Sequence, residues 1–450
     1  MGLVEKMNQK SARIGIIGLG YVGLPLAIEY VLKGFTVVGI DLDLRKKKMI
    51  DNGKNYIDDI TPDKWQAAIK SKRFTASTNY DAIPELDIIY ICVPTPFTVN
   101  KEPDVSFIID STKSIAKRLR NDQLIILKST TFPETTEKVV QPILEETGLQ
   151  AGKDFYLAFS PERIDPGNKQ FTTENTPIVV GGVTPKCTEL AAKAIALVVN
   201  KVHKVSNPRV AEMEKLLENI FRSVNIALVN EMAKLCDRMG GMDIWEVVEA
   251  AATKPFGFMP FFPGPGIGGH CILVDPYYLS WKAREYDFHT KFIELAAETN
   301  EDMPYYVLGN IRRALGNVNS SIQKGKVLFL GVAFKKDVDD TRNSPAIKIM
   351  ELLLQRGVNQ LNYNDPYVPK IKVGKNIFQS LPLTEEVLRQ HDVVVITADH
   401  SDYDAQFIVE HSKSVVDTRN LTKDITKDLY KIVKLGSGKG FYANIFNSNG

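Results

Sequence analysis

The chain begins as an alternation of short apolar runs and amphipathic stretches. Ile14-Gly15-Ile16-Ile17 has no polar alternation, the pattern of a strand buried on both faces of a parallel sheet. A glycine-rich turn follows, then helical periodicity over residues 21–33, ended by Gly34. Thr36-Val37-Val38-Gly39-Ile40 reads as the next strand and closes at Asp41. Strand, helix and strand in that order form a βαβ unit. Apolar runs at 88–93, 124–127 and 156–159, with helical stretches between them, extend it to a doubly wound α/β domain. From about Pro208 the pattern changes. Residues 210–239 are rich in Ala, Leu, Met and Glu, contain no Gly or Pro, and predict one long helix. Residues 243–252 and most of 276–315 read as helical too. Strand-like runs return at 326–331, 360–363, 392–396 and 414–417. The expected fold class is α/β, with two Rossmann-like doubly wound domains joined by a central all-helical domain. The expected domain ranges are 1–205, 206–320 and 321–450.

A length of 450 residues suits about three domains. The 44% hydrophobic and 24% charged fractions are those of globular proteins. Lys and Arg number 56 against 54 Asp and Glu, for a net charge of +2. That balance gives no support to nucleic-acid binding, so an anionic ligand needs local cations. Cys92, Cys187, Cys236 and Cys271 are too widely spaced for a zinc site or a disulfide framework. No metal is expected, and free thiols point to a reducing compartment. Residues 1–10 are polar, unlike a signal peptide. No apolar run reaches the ~18 residues of a membrane span. The expectation is a cytoplasmic protein without a membrane partner.

Gly18-Leu19-Gly20-Tyr21-Val22-Gly23 matches the dinucleotide pattern G-x-G-x-x-G, between a strand and a helix. Gly18 permits a tight turn, Gly20 lets backbone approach a pyrophosphate, and Gly23 lets helix pack on strand. Tyr21 and Val22 lie within the turn. Asp41 ends the second strand, where a carboxylate bonds ribose hydroxyls and repels a 2′-phosphate, which favours NAD over NADP. A glycine-rich turn in a non-binding domain is the bland alternative. The basic run Arg45-Lys46-Lys47-Lys48 is either an adenosine contact through Arg45 or a solvated helix face.

The run Pro263-Gly264-Pro265-Gly266-Ile267-Gly268-Gly269-His270-Cys271 places a lone thiol after two prolines and four glycines. Such backbone approaches ligands closely, so Cys271 reads as a nucleophile on a shaped loop. A thiol beside a nicotinamide fits aldehyde-level oxidation through a thiohemiacetal and a thioester. A small buried cysteine is the alternative. His270 and Cys271 diverge on an extended loop, so His270 reads as a substrate contact or a loop element. Asp275 reads as a partner near sulfur or as a turn residue before Pro276. Lys215 and Asn219 share a helix face and suit an oxyanion and an ordered water, although a surface lysine is the usual reading of Lys215.

These residues resemble the UDP-glucose/GDP-mannose dehydrogenase superfamily of nucleotide-sugar 6-dehydrogenases. The resemblance spans residues 13 to about 421. It rests on the fingerprint with Leu24-Pro25, Val93-Pro94-Thr95-Pro96, Lys128-Ser129-Thr130, Ser160-Pro161-Glu162-Arg163, the segment 212–219, the Cys271 loop, and Gly331-Val332-Ala333-Phe334-Lys335-Lys336-Asp337 with Asp340-Thr341-Arg342. It implies oxidation of a hexose C6 hydroxyl to a carboxylate with two NAD per sugar. Cys271 is then the nucleophile, and Lys215 steadies the alkoxide or thiohemiacetal oxygen. Asp275 orients a lysine or water, Thr130 holds a water, Glu162 serves thioester hydrolysis, and Asn219 completes the polar shell. Val93, Pro94, Thr95, Ser129 and Thr130 line the cofactor. Glu162, Arg163, Lys215, Asn219, Phe262, Gly268, His270 and Phe334 face the substrate. Lys335, Arg342 and Arg419 suit its diphosphate, because arginine grips phosphate bidentately. Family members dimerise through the central helices, which implies a homodimer.

Around the nucleophile, Val274 stands where plain UDP-glucose enzymes carry lysine. This variant resembles the UDP-N-acetylhexosamine branch, and the run 256–266 resembles UDP-N-acetylglucosamine 6-dehydrogenases. UDP-N-acetylglucosamine is therefore the expected substrate, for surface polysaccharide synthesis. UDP-N-acetylmannosamine, UDP-N-acetylgalactosamine and UDP-glucose stay open as alternatives. Two more distant readings are a non-catalytic nucleotide-sugar binding protein and a two-electron 3-hydroxyacid dehydrogenase.

Overall fold

The computed structural model describes residues 1–57, 59–98, 101–163, 170–269 and 271–439, apart from the side chains of Cys271, Leu273 and Val274. The chain divides into two compact units. Unit 1 comprises Met1–Glu218 and Tyr277–His289, and unit 2 comprises Asn219–Pro276 and Thr290 onward.

Unit 1 is built on an eight-stranded sheet. Its strands are β1 (Arg13–Ile17), β2 (Thr36–Ile40), β3 (Phe74–Ser77), β4 (Ile88–Ile91), β5 (Leu124–Leu127), β6 (Tyr156–Phe159), β7 (Ile178–Gly182) and β8 (Val202–Lys204). The order is β3-β2-β1-β4-β5-β6-β7-β8, parallel throughout except between β6 and β7. Successive residues of one strand feed opposite faces. Ile14, Ile16, Ile88 and Tyr90 join one core, and Ile17, Ile89 and Ile91 join the other. Burial on both faces is why these strands read as unbroken apolar runs. The winding reverses between β1 and β4, which leaves a crevice at their carboxyl ends.

Unit 2 holds a five-stranded parallel sheet of β9 (Lys326–Leu330), β10 (Gln360–Asn364), β13 (Val393–Ile396), β14 (Val415–Asp417) and β15 (Ile432–Lys434), ordered β10-β9-β13-β14-β15. Strands β11 (Lys370–Val373) and β12 (Asn376–Gln379) form a separate antiparallel hairpin. Here the winding reverses between β9 and β13. A helix of 32 residues, Pro208–Met239, contributes its start to unit 1 and its remainder to unit 2. In unit 2, the helix residue Asp237 accepts hydrogen bonds from the Gly436 and Gly438 amides at 3.1 and 3.2 Å and from the Tyr306 hydroxyl at 2.8 Å. Its neighbours are the helices Ile244–Ala252 and Lys291–Asn317.

The fold class agrees with the expectation from sequence. The strands β3, β7, β8, β11, β12 and β15 were not foreseen; most are short, and β3 and β8 lie at sheet edges.

One buried polar link ties three elements of unit 1. Tyr30, on the helix Gly23–Leu32, has its hydroxyl 2.5 Å from that of Tyr90 on β4. It donates at 2.8 Å to the carbonyl of Ala194 on the helix Pro185–Ile195. Tyr30→Phe leaves the Ala194 carbonyl and the Tyr90 hydroxyl without this partner, and the expected cost is about 1–3 kcal/mol. Denaturant unfolding should show a lower midpoint; an unchanged midpoint would contradict this.

Candidate active site

The turn after β1 has the shape the fingerprint demands. Gly18 has φ +91°, and a Cβ there would lie 2.5 Å from the Cys92 carbonyl oxygen. A Cβ on Gly23 would overlap the Gly18 carbonyl, so helix and strand pack backbone to backbone. Above Gly20 there is open space to 4 Å. The helix Gly23–Leu32 has no side-chain N-cap bond; the Leu24 amide already bonds the Gly20 carbonyl at 3.1 Å and Pro25 has no N–H, so an anion is left the positive end of the helix and the backbone of the glycine turn. The residues present therefore fit a dinucleotide pyrophosphate. Asp41 is oriented by the Leu19 amide at 2.9 Å, the Asp43 amide at 3.0 Å and the Lys46 ammonium at 2.7 Å. Arg45 instead grips Asp43, the N-cap of its own helix, with its side chain 88% exposed. That pairing holds the Asp43 carboxyl down near 2.

The loop after β4 carries Val93, Pro94 and Thr95. Ser129 secures it by donating to the Val93 carbonyl at 2.8 Å, and Tyr278 donates to the Thr95 and Pro96 carbonyls. The adjacent Cys92 thiol is pushed up to about 12, chiefly by burial, and is inert. Tyr21 is exposed, and Val22 and Thr130 are half-buried.

Glu162 is 8% exposed and pairs with the Lys128 ammonium at 3.1 Å. Its other oxygen accepts the Arg163 amide at 2.9 Å. The Arg163 guanidinium is taken up within unit 1: it bonds Glu218, Glu214 at 3.0 Å and the Pro177 carbonyl at 2.8 Å. Burial and the neighbouring Glu218 raise the Glu214 pKa. Lys215 is 8% exposed, so the surface-lysine reading gives way to a buried ammonium.

In unit 2 the glycine-rich run is suspended from the helices. The Gly264 amide donates to Asn230 at 2.9 Å, and Asn230 donates to Asn300 at 2.9 Å. A Cβ on Gly264 would lie 2.8 Å from the Arg419 guanidinium, and one on Gly268 would overlap Phe334. The Gly269 amide bonds the Arg342 carbonyl at 2.8 Å, and Asn343 donates to the Gly269 carbonyl at 3.0 Å. Phe262 stacks on Trp245 with ring centroids 5.5 Å apart. Arg419 donates to the Thr397 carbonyl at 2.9 Å and to the Phe334 carbonyl at 3.3 Å. Arg342 holds Asp340 at 2.6 Å, and the Lys335 ammonium lies 6.0 Å from the Phe334 ring centre.

One expectation needs correction. Cys271 does not continue an extended loop; it opens the helix Cys271–Ala283, so Asp275 lies about one turn along that helix. Asp275 is 2% exposed and accepts a hydrogen bond from the Asn219 amide. His270 and the Cys271 side chain lie outside the described residues. Sequence reasoning quoted Lys128 within a motif but gave it no role, and it missed Asp365 and His400. Asp365 had a usable signal, since it directly follows β10 as Asp41 directly follows β2; His400, four residues past the end of β13, had none.

Family models for the UDP-glucose/GDP-mannose dehydrogenase family match the chain in three parts. These are the NAD binding domain at residues 12–198, the central domain at 209–302 and the UDP binding domain at 328–424. The chain belongs to that family. It is an NAD-dependent oxidoreductase, and its substrate is a UDP-sugar. It is 36% identical over 413 residues to Protein CapL of Staphylococcus aureus, covering 91% of this chain and 93% of that one. It is 33% identical over 397 residues to UDP-N-acetyl-D-glucosamine 6-dehydrogenase of Pseudomonas aeruginosa, covering 88% and 92%. A solved structure of UDP-D-ManNAc dehydrogenase from Pyrococcus horikoshii superposes with a TM-score of 0.86 at 33% identity, covering 95% of this chain and all of that one (100%). No helix among the described residues is long and apolar enough to cross a membrane.

Asp41 sets the cofactor prediction. If Asp41 is the ribose acceptor expected from sequence, Asp41→Ala removes it and leaves Lys46, its partner at 2.7 Å, beside the vacated position. The ratio of kcat/KM for NAD to that for NADP should fall by about tenfold or more. An unchanged ratio would exclude Asp41 as the discriminating group.

Proposed function

We propose that this enzyme oxidises the C6 hydroxyl of a UDP-N-acetylhexosamine to a carboxylate, with Cys271 as covalent nucleophile. The best substrate in this reading is UDP-N-acetylglucosamine, and the product feeds surface polysaccharide synthesis. The observation that carries the reading is the Asn219–Asp275 hydrogen bond on the helix that opens at Cys271. A buried carboxylate held by an amide beside that position is a built polar environment. Helix N-termini favour the ionised form of a cysteine placed there.

When bound, NAD supplies the acceptor for the hydride lost in each of two oxidations. The residues divide the remaining work. The Cys271 thiolate adds to the aldehyde carbon, and the buried Lys215 ammonium stabilises the oxygen that gains charge. Asn219 and Asp275 fix the polar groups beside sulfur. Thr130 holds the water that attacks the thioester, and Glu162 takes a proton from it. Lys128 keeps that carboxylate paired and in place. Phe334, Lys335, Arg342 and Arg419 are assigned to the nucleotide side, with Glu162, Arg163, Phe262, Gly268 and His270 nearer the sugar. Functionally the chain divides into a cofactor segment, 1–205, a central segment, 206–320, and a nucleotide segment, 321–450.

The choice of sugar rests on the run 256–262 and on Val274. An acetamido group asks for an apolar wall and polar partners, and a site built for it discriminates against an analogue that lacks it. The manno epimer is the second reading, favoured by the likeness to the Pyrococcus horikoshii enzyme. UDP-N-acetylgalactosamine and UDP-glucose rank lower. A homodimer is supported by Val210, Met213, Leu217, Phe221, Leu228, Met232, Leu235 and Met239, exposed apolar side chains recurring at helical spacing along Pro208–Met239. The free thiols Cys92, Cys187 and Cys236 support a cytoplasmic setting.

Incubation with NAD and a panel of UDP-sugars tests the reading. Two NADH per sugar consumed, no free aldehyde, and the highest kcat/KM with UDP-N-acetylglucosamine are expected, and Cys271→Ala should form no acid. One NADH per sugar with trappable aldehyde would exclude the covalent route. Equal kcat/KM for UDP-glucose and UDP-N-acetylglucosamine would exclude the acetamido pocket.

A further inference from the structure

In unit 2, the segment after β9 is shaped from both ends by one buried pair. Gly331 has φ +80°, and a Cβ there would lie 2.5 Å from Ala398, in the segment after β13. The winding reverses between these two strands, so the crevice at their carboxyl ends is where an open α/β sheet takes its ligand. At the start of the segment, one carboxylate oxygen of Asp365 accepts the Val332 amide at 2.7 Å and the Ala333 amide at 3.1 Å. At its end, the Asp337 amide donates to Nδ1 of His400 at 3.0 Å. The two ends are joined, because Nε2 of His400 lies 3.2 Å from that same Asp365 oxygen.

This arrangement defines the imidazole. A backbone amide only donates, so Nδ1 carries no hydrogen and Nε2 donates to Asp365. Both side chains have 0% exposure. The Tyr367 and Tyr403 rings close over the imidazole at 5.1 and 5.4 Å. The other Asp365 oxygen accepts the Tyr367 and Val368 amides at 2.9 and 3.1 Å. Asp337 in turn accepts from the Ser401 amide and hydroxyl, both at 2.7 Å. The pair is sealed from solvent, and its bonds go to the backbone on either side of Phe334 and Lys335.

We propose that His400 is a positioning residue for nucleotide binding: together with Asp365 it latches Gly331–Asp337 in its binding shape before a nucleoside diphosphate arrives. The proposal rests on the reading of this segment as the nucleotide-facing one. A preformed segment spares the ligand the entropy of ordering it, so the latch acts on affinity.

Calorimetric titration of the full-length enzyme with UDP tests it. His400→Leu removes both bonds and should weaken UDP by about tenfold or more, the scale expected for lost preorganisation. His400→Asn keeps an acceptor near Nδ1 and His400→Gln keeps a donor near Nε2, so both should fall between His400→Leu and the native protein. KM for the UDP-sugar should rise in parallel, while kcat at saturating sugar and KM for NAD stay within about twofold, a split that general destabilisation does not produce. Undiminished UDP affinity in a folded His400→Leu, with native binding intact, would sink the latch alone. Failure of the native enzyme to bind UDP would overturn the nucleotide reading and the latch with it. Hydrogen exchange on the native protein needs no variant. The amides of Val332, Ala333 and Asp337 should exchange slowly before UDP is added. Fast exchange that slows only with UDP would overturn the proposal.

Discussion

Both α/β units depend on one backbone constraint. A strand ends in a glycine of positive φ that is wedged against the segment leaving the neighbouring strand. Gly18 meets the Cys92 carbonyl, and Gly331 meets Ala398. No side chain fits at either place, so the chain turns there. The turn leaves backbone amides pointing at the end of the sheet, and an aspartate just past or at the end of the next strand collects them. Asp41 takes the Leu19 amide, and Asp365 takes those of Val332 and Ala333.

From that shared device the units diverge in chemistry. The Asp41 side chain keeps 11% exposure and a lysine partner, which suits a carboxylate that reads a ribose. The Asp365 side chain has none, and His400 covers it. Its pKa is lowered although burial opposes this, because the His400 hydrogen bond and the amides favour the charged form. An aspartate so enclosed shapes a loop and does not touch a ligand. In the proposed reading the two similar folds serve two nucleotides: Asp41 is the accessible acid that reads NAD, and Phe334 and Lys335 are presented on a braced segment to the UDP-sugar.

Much of this was legible in the amino-acid sequence, for physical reasons. Buried parallel strands print as apolar runs, and an uninterrupted helix such as Pro208–Met239 prints as periodicity without Gly or Pro. Short edge strands print neither. Val202–Lys204 reads Val-His-Lys, and Phe74–Ser77 is buried only at Phe74. The helix opening at Cys271 was hidden by the glycines and prolines before it and by Pro276 inside it. Lys215 illustrates the limit for single residues. A lysine on a helix looks solvated in sequence, and only packing removes it from water. His400 has no motif, and its importance lies in two bonds to residues distant in the chain.

The central claim is that oxidation proceeds on sulfur at Cys271. The most direct measurement is the intact mass of Glu162→Gln after incubation with NAD and UDP-N-acetylglucosamine, followed by peptide mapping. Slowed hydrolysis should let one acyl group derived from the UDP-sugar accumulate on the protein, on the peptide that contains Cys271 and only when NAD is present. Release of two NADH per sugar with no adduct at any time of quenching, or an adduct on another residue, would contradict the account.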